Sequence, residues 1–197
     1  MPEKYVLQHT GAVSFETQRL ICRRFIPTDA EDMFRYWASD PLVQSEYGEP
    51  VYDTPEKAVK LLKKYISDNY RWAIIEGSSG RNIGQIAFCR VYPDCRTAEI
   101  EYCIGRSFWG NGYAGEALNG LIAHTFAHTE ILKLEAYHRN ENTRSGRVLE
   151  KSPMHVAANV ERFSRENKLP HGETCYCITV VEYQKQIQLL QERICQT

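Results

Sequence analysis

The chain has 197 residues with 24 Lys plus Arg against 25 Asp plus Glu, a formal charge of -1, so no broad positive field recommends a nucleic acid as its main ligand. Its 43% hydrophobic and 25% charged residues are those of a globular chain and exclude disordered, collagenous and coiled-coil classes. At this length about 70% of the unfolded surface can be buried, so neither disulfides nor a structural metal are needed.

Arg19–Phe25 reads as a first strand. Thr28-Asp29 opens a helix whose apolar residues Ala30, Met33, Phe34, Trp37 and Ala38 recur at three and four, and Asp40-Pro41 stops it. Thr54 is an N-cap with Pro55 at the first helical position, and Ala58, Leu61, Leu62, Tyr65 and Ile66 form the buried stripe of a second helix. Between the two, residues 37–52 read as a helix-to-loop stretch rich in aromatics. Residues 71–76, 82–92 and 97–104 follow as an antiparallel meander with turns at Ser78-Ser79-Gly80 and Pro93-Asp94-Cys95. An amphipathic helix runs from about Gly112 to His128, then a strand over 132–137, a helix capped by Asn142, and two strand candidates around 157–163 and 175–183. The tail, 184–197, places Ile187, Leu190 and Ile194 at helical spacing, a stripe that docks on the domain or pairs two subunits. The order is β-αα-βββ-α-β-α-ββ, an α/β (α+β) chain.

The seven cysteines, an odd number without a Cys-x-x-Cys, indicate neither a disulfide framework nor a zinc ribbon and suit a reduced cytosol. No apolar signal core and no run of 18 apolar residues occurs, so a cytoplasmic protein with no membrane partner is expected.

The chemistry concentrates where the 97–104 strand passes through Trp109-Gly110-Asn111-Gly112-Tyr113-Ala114-Gly115 into the long helix. Glycines permit close backbone approach, and the first N–H groups of a helix lack intrahelical partners and hold phosphate oxygens, so a phosphate-bearing cofactor is implied. Gly110-x-Gly112-x-x-Gly115 also matches a dinucleotide fingerprint, with Glu135 about twenty residues on. Context rejects that reading, because Arg106-Ser-Phe-Trp109 separates strand from glycine and the preceding strands form a meander.

The same segment closely resembles motif A of the GNAT acyltransferase superfamily, with Gly112 and Ala114 at its last two pattern positions and Trp109 where Gln or Arg is usual. That departure is similar to the branch of ribosomal-protein N-terminal (alanine/serine) acetyltransferases. Glu16-Thr-Gln-Arg-Leu20, Ile83-Gly-Gln-Ile86, Ala98-Glu-Ile-Glu-Tyr102 and Asn140–Lys151 extend the resemblance over about residues 14–152. Beyond Lys151 the chain departs, with Pro153-Met154 where Gly-Phe is usual, which leaves the atypical 153–172 stretch without a role. The resemblance implies a splayed, mostly antiparallel mixed sheet of about seven strands with four helices, forming one acetyltransferase domain over 1–197 with its core at 14–183. It also implies an acetyl-CoA donor whose pyrophosphate lies on Trp109–Gly115. The pantetheine arm is expected between the strand ending at Ile104 and the 132–137 strand, where it meets backbone groups of Cys103, Ile104 and Gly105.

Acetyl transfer to an amine needs a base for the ammonium proton and an acid for the departing thiolate. Glu99 and Glu101 lie two apart on one strand and share a face; the resemblance favours Glu99 as base, while a solvated acidic strand face is the plain alternative. The family's acid is a tyrosine whose place here is Leu149, so the branch resemblance passes that role to Ser145 and a pantetheine contact to Asn142, residues an ordinary helix N-terminus also carries. Cys103 reads as a buried thiol and His124/His128, without the glutamate of His-Glu-x-x-His, as no metal site. Trp37, Tyr47, Trp72 and Tyr102 are pocket candidates or core. The expected activity is direct acetyl transfer to a primary amine of a protein N-terminus or small molecule. The alternatives are a silent CoA-binding module on the same fold and a dinucleotide-binding protein. Oligomeric state stays open, a dimer included.

Overall fold

The computed structural model describes residues 11–157 and 172–195. The chain divides into two compact units, one from the chain up to Cys89 together with Glu101–Glu130, the other from Arg90–Ile100 together with Ile131 onward.

In the first unit, β1 (Phe15–Glu16), β2 (Leu20–Arg23), β3 (Arg71–Glu76) and β4 (Asn82–Val91, of which 82–89 belong here) pair antiparallel in that order, with Leu20 opposite Glu76 and Trp72 opposite Ile86. Residues 101–104 of β5 (Thr97–Ile104) also belong here. After β2, Pro27–Asp29 makes a 3-10 turn, α1 (Ala30–Met33) one α turn, and Phe34–Ala38 a π turn in which Ser39 Oγ donates to the Phe34 carbonyl at 2.6 Å, five residues back. Asp40 and Pro41 do stop that helix, and they also start another, α2 (Pro41–Tyr47): Asp40 Oδ1 accepts from the Leu42 and Val43 N–H groups, and Gly48 closes the helix at φ 87°. Three helical segments therefore follow β2 where two were expected. The capping signal was present in the residues, but the stretch is short.

Thr54 caps α3 (Pro55–Ser67) as expected, accepting from Lys57 N–H, and α4 spans Tyr113–His128 with Ala117, Leu118, Leu121, Ile122, Thr125 and Phe126 buried. Met33, Trp37, Val43, Leu61, Leu62, Tyr65 and Cys103 meet in one core cluster.

In the second unit, residues 97–100 of β5 run parallel to β6 (Lys133–Arg139), with Glu99 opposite Glu135; β6 pairs antiparallel with β8 (Glu173–Thr179), and β8 with β7 (His155–Val156). The described residues thus hold eight strands where about seven were expected, and the additional ones are only two residues long. Asn142 caps α5 (Thr143–Glu150), its Oδ1 accepting from Ser145 N–H. The last strand ends at Thr179, not Tyr183, because Thr179-Val-Val-Glu182 is a capping box: Glu182 Oε2 accepts from Thr179 N–H at 2.8 Å, and Thr179 Oγ1 accepts from Glu182 N–H at 3.3 Å. It starts α6 (Val180–Cys195), on which Ile187, Leu190 and Ile194 are exposed. Of the strand candidate over 157–163, residues 158–163 lie outside the described residues. No helix among the described residues is long and apolar enough to cross a membrane.

Candidate active site

At the end of β5 the chain turns through Gly105, whose N–H donates to the Ile83 carbonyl at 2.8 Å, and Trp109 Nε1 donates to the Ile104 carbonyl at 2.6 Å, closing the loop on its own strand. The Gly105 and Ile104 backbone groups expected to meet a thioester are therefore engaged in shaping this turn. A Cβ at Gly105 would lie 2.6 Å from the Tyr36 carbonyl oxygen, and one at Gly84 would lie 2.1 Å from that of Cys103. Close backbone approach, not flexibility, requires glycine at both positions.

Gly110 and Gly112 adopt φ of 80° and 79°, and Gly112 is the N-cap of α4. The left-handed pair bends the chain so that α4 starts with the first N–H groups of Tyr113, Ala114 and Gly115 outside the intrahelical ladder. Open space surrounds the Cβ positions of Gly110 and Gly115. The helix dipole adds partial positive charge there, which makes an anion cradle.

Glu116, Thr17, Arg19 and Glu76, to which sequence reasoning gave no part in this turn, hold it together with Tyr113. Glu116 accepts from Thr17 Oγ1 at 2.6 Å, from Arg19 N–H at 2.7 Å and from Arg19 Nε at 2.7 Å, and Tyr113 donates to Glu76 at 2.5 Å beneath the Arg19 guanidinium. Burial works against the Glu116 charge, but the Thr17 and Arg19 bonds outweigh it and hold the carboxyl below its usual range. Arg19 thus keeps a cation beside the cradle and cancels the one carboxylate in the first turn.

Glu101 sits in a polar network. Its Oε1 accepts from Tyr47 Oη at 2.5 Å and Arg71 Nη1 at 2.8 Å, while Gln85 Nε2 donates to Tyr47 at 2.6 Å and Gln85 Oε1 accepts from Arg71 at 2.6 Å. Arg71 also pairs with Asp68 and stacks over the Tyr65 ring. Burial and then the Glu101 charge push the Tyr47 phenol well above its ordinary value. Burial opposes the Arg71 charge, yet Tyr47, Tyr65 and Glu101 together raise its pKa. Glu101 is therefore paired with a largely buried guanidinium.

Glu99, 8% exposed, has a different neighbourhood: Arg90 Nε stands 4.0 Å from its Oε2, and Glu135 is its register partner. Glu135, noticed in the sequence only as part of the rejected fingerprint, is buried and accepts from Tyr92 and Tyr137 at 3.0 Å each and from Lys133 at 2.7 Å. Asn142 and Ser145 are brought together at the α5 N-terminus by the cap bond, and Leu149, expected at the family's tyrosine position, is fully buried.

Cys103 lies in the core cluster, where burial and then Glu101 push its thiol far up. Trp37 and Trp72 are core, not pocket: both are fully buried, donating to Asn82 and to the Val13 carbonyl. Tyr47 belongs to the Glu101 network, and Tyr102 is half-buried. His124 stacks on Phe15 and meets the His128 ring at a tilt, and burial, then His128, lowers its pKa to about 4.

A glycine turn that opens a long helix at the end of a strand offers N–H groups that can hold an anionic group. The chain belongs to the GNAT acetyltransferase family: the acetyltransferase (GNAT) domain model matches residues 19–155. It is an acetyltransferase enzyme, related to the uncharacterized N-acetyltransferase YoaA of Bacillus subtilis (strain 168), with 26% identity over 168 residues, 83% of this chain and 94% of that one. Among solved structures it is similar to a GNAT-family acetyltransferase from Bacillus anthracis, with TM-score 0.73 and 25% identity, covering 85% of this chain and 99% of that one. It shares its fold with the ribosomal L7/L12 α-N-protein acetyltransferase RimL, solved in complex with coenzyme A, with TM-score 0.69 and 17% identity over 85% and 98% of the chains.

Proposed function

We propose that this enzyme takes its acetyl group from acetyl-CoA and passes it directly to a primary amine, on a protein N-terminus or a small molecule. The observation that carries the reading is the start of α4, where left-handed Gly110 and Gly112 lead into the helix, the Cβ positions of Gly110 and Gly115 face open space and Arg19 stands beside Gly112. The N–H groups of Tyr113, Ala114 and Gly115 bind the pyrophosphate, with Trp109, Gly110, Asn111 and Gly112 shaping the turn. Solved relatives carrying coenzyme A support the choice of donor.

An amine with pKa near 10 is mostly protonated at neutral pH. Glu99 removes that proton, since Glu101 is already committed to Arg71 and Tyr47. Glu101 then acts as a fixed negative charge that attracts the ammonium form. Ser145 returns a proton to the departing sulfur, and Asn142 sets the first turn of α5 that carries Ser145. Neither a metal ion nor an acyl-enzyme is required.

Calorimetric titration with acetyl-CoA tests the donor. Micromolar binding by the wild type, lost in Gly112→Glu and in Gly115→Glu, supports the reading, because each carboxylate meets the pyrophosphate. Gly115→Glu serves as the unstrained variant, its Cβ standing in open space without a positive φ. Absence of binding by the wild type overturns the reading.

A further inference from the structure

Cys177, His155 and Glu182 form a constellation in the second unit that the acetyl transfer does not use. His155 on β7 and Cys177 on β8 are direct register partners, which brings Cys177 Sγ to 3.9 Å from His155 Nδ1. On the other side of the ring, His155 Nε2 lies 2.9 Å from Glu182 Oε1. Glu182 is positioned independently of the histidine, because its other oxygen closes the Thr179 capping box at 2.8 and 2.7 Å. A carboxylate anchored in this way keeps the ring proton on Nε2 and leaves Nδ1 as the basic nitrogen facing the thiol. That is the arrangement of an activated nucleophile with its base and orienting acid.

We propose that Cys177 is a reactive thiol, with His155 as its base and Glu182 as the residue that orients His155, and that it undergoes exchange with low-molecular-weight disulfides. In the exchange the Cys177 S–H proton passes to His155 Nδ1, and the thiolate attacks one sulfur of a disulfide R–S–S–R. The Cys177–S–S–R bond forms as the original S–S bond breaks, and RS⁻ leaves and takes the proton from His155. The Cys177 thiol is oxidised to a disulfide, the leaving sulfur is reduced to a thiol, and no other oxidant enters. Exchange asks only for a thiolate and access. Cys177 itself is buried, 8% exposed, so the disulfide has to reach it past the side chains of His155 and Glu182, which are 50% and 43% exposed.

The charges around the pair set the pH dependence. Glu182 from α6 raises the His155 pKa, while Lys133 and Glu135 from β6, with Cys175 and Glu182, face Cys177. Burial, only partly offset by Lys133, keeps the thiol above its ordinary pKa. When protonated, His155 Nδ1 has the Val156 carbonyl 3.4 Å away as an acceptor. Deprotonated, it accepts from Cys177. Base-assisted reactivity therefore switches on as pH rises through the imidazole range, well below the titration of the unassisted thiol.

The test uses the full chain with the exposed Cys89, Cys95 and Cys195 replaced by serine, treated with 2-hydroxyethyl disulfide from pH 6 to 9. The mixed disulfide is located by peptide mass. The expected result is modification at Cys177 that reaches half its maximal rate in the imidazole range. In His155→Ala and His155→Gln the rate at pH 7.5 falls on the order of tenfold or more, and the profile moves toward the thiol's own titration. His155→Gln retains a hydrogen bond to Glu182 but accepts no proton, so it separates the base from a packing role. Equal rates in wild type and His155→Gln, or no modification at Cys177 in a folded wild type, overturn the proposal.

Discussion

Arg71 Nη1 and Glu101 Oε1 meet at 2.8 Å, and Tyr47 donates to the same carboxylate oxygen at 2.5 Å. The Arg71 side chain is 11% exposed and that of Glu101 27%. Removing one partner of a poorly solvated pair leaves the other charge without compensation. Arg71→Met is therefore expected to cost about 3 kcal/mol in urea unfolding. The double variant Arg71→Met/Glu101→Gln should recover part of the loss, and an equal or larger loss in the double variant would show that the pair is not coupled.

The two strand carboxylates should separate in kinetics. Glu99→Gln is expected to lower kcat/KM by about 10²-fold or more, the usual contribution of a general base, and to remove the low-pH limb of the pH profile. Ser145→Ala should lower kcat with little change in acetyl-CoA affinity. Thiol release in the presence of an amine acceptor measures both. Full activity in Glu99→Gln would exclude it as the base.

Glycine substitutions should sort by the space that surrounds them. Gly84→Ala forces a Cβ to 2.1 Å from the Cys103 carbonyl oxygen, and a backbone atom cannot swing aside. Loss of stability of about 3 kcal/mol or more, or failure to fold, is expected. Gly115→Ala lies in the first turn of α4 with nothing within 4 Å of its Cβ, and should gain about 0.5–1 kcal/mol. Thermal melts of the two variants decide the matter.

His124 supplies a pH effect of definite sign. Burial, then His128, lowers its folded pKa to about 4 from the unfolded 6.5. The unfolded chain therefore takes up the proton first as pH falls, and the neutral-histidine contribution, complete above pH 6.5, is lost progressively down to about pH 4. Discounted for partial exposure, the effect is about 1–2 kcal/mol. His124→Phe, which retains the stack on Phe15, should flatten the stability difference between pH 7 and pH 4.5. An unchanged slope in that variant would show that another group carries it.

The sequence by itself determined those features whose partners lie within a few residues. The Thr54-Pro55 start of α3, the Asn142 cap of α5 and the glycine turn before α4 each close a hydrogen bond or a φ requirement inside one turn of chain. Two further local signals, Asp40-Pro41 and the Thr179-x-x-Glu182 box, were equally legible, and neighbouring loop and strand patterns concealed them. Only the tertiary structure decided what each carboxylate meets. Glu99 and Glu101 share one strand and one face, yet the first neighbours Glu135 across β6 while the second is held by Arg71 and Tyr47, 30 and 54 residues away in sequence. Cys177 finds His155 22 residues away across the β7–β8 pair. Periodicity specifies which face a residue occupies. Its charge state and reactivity depend on desolvation and on partners far along the chain, which sheet register and core packing bring to it.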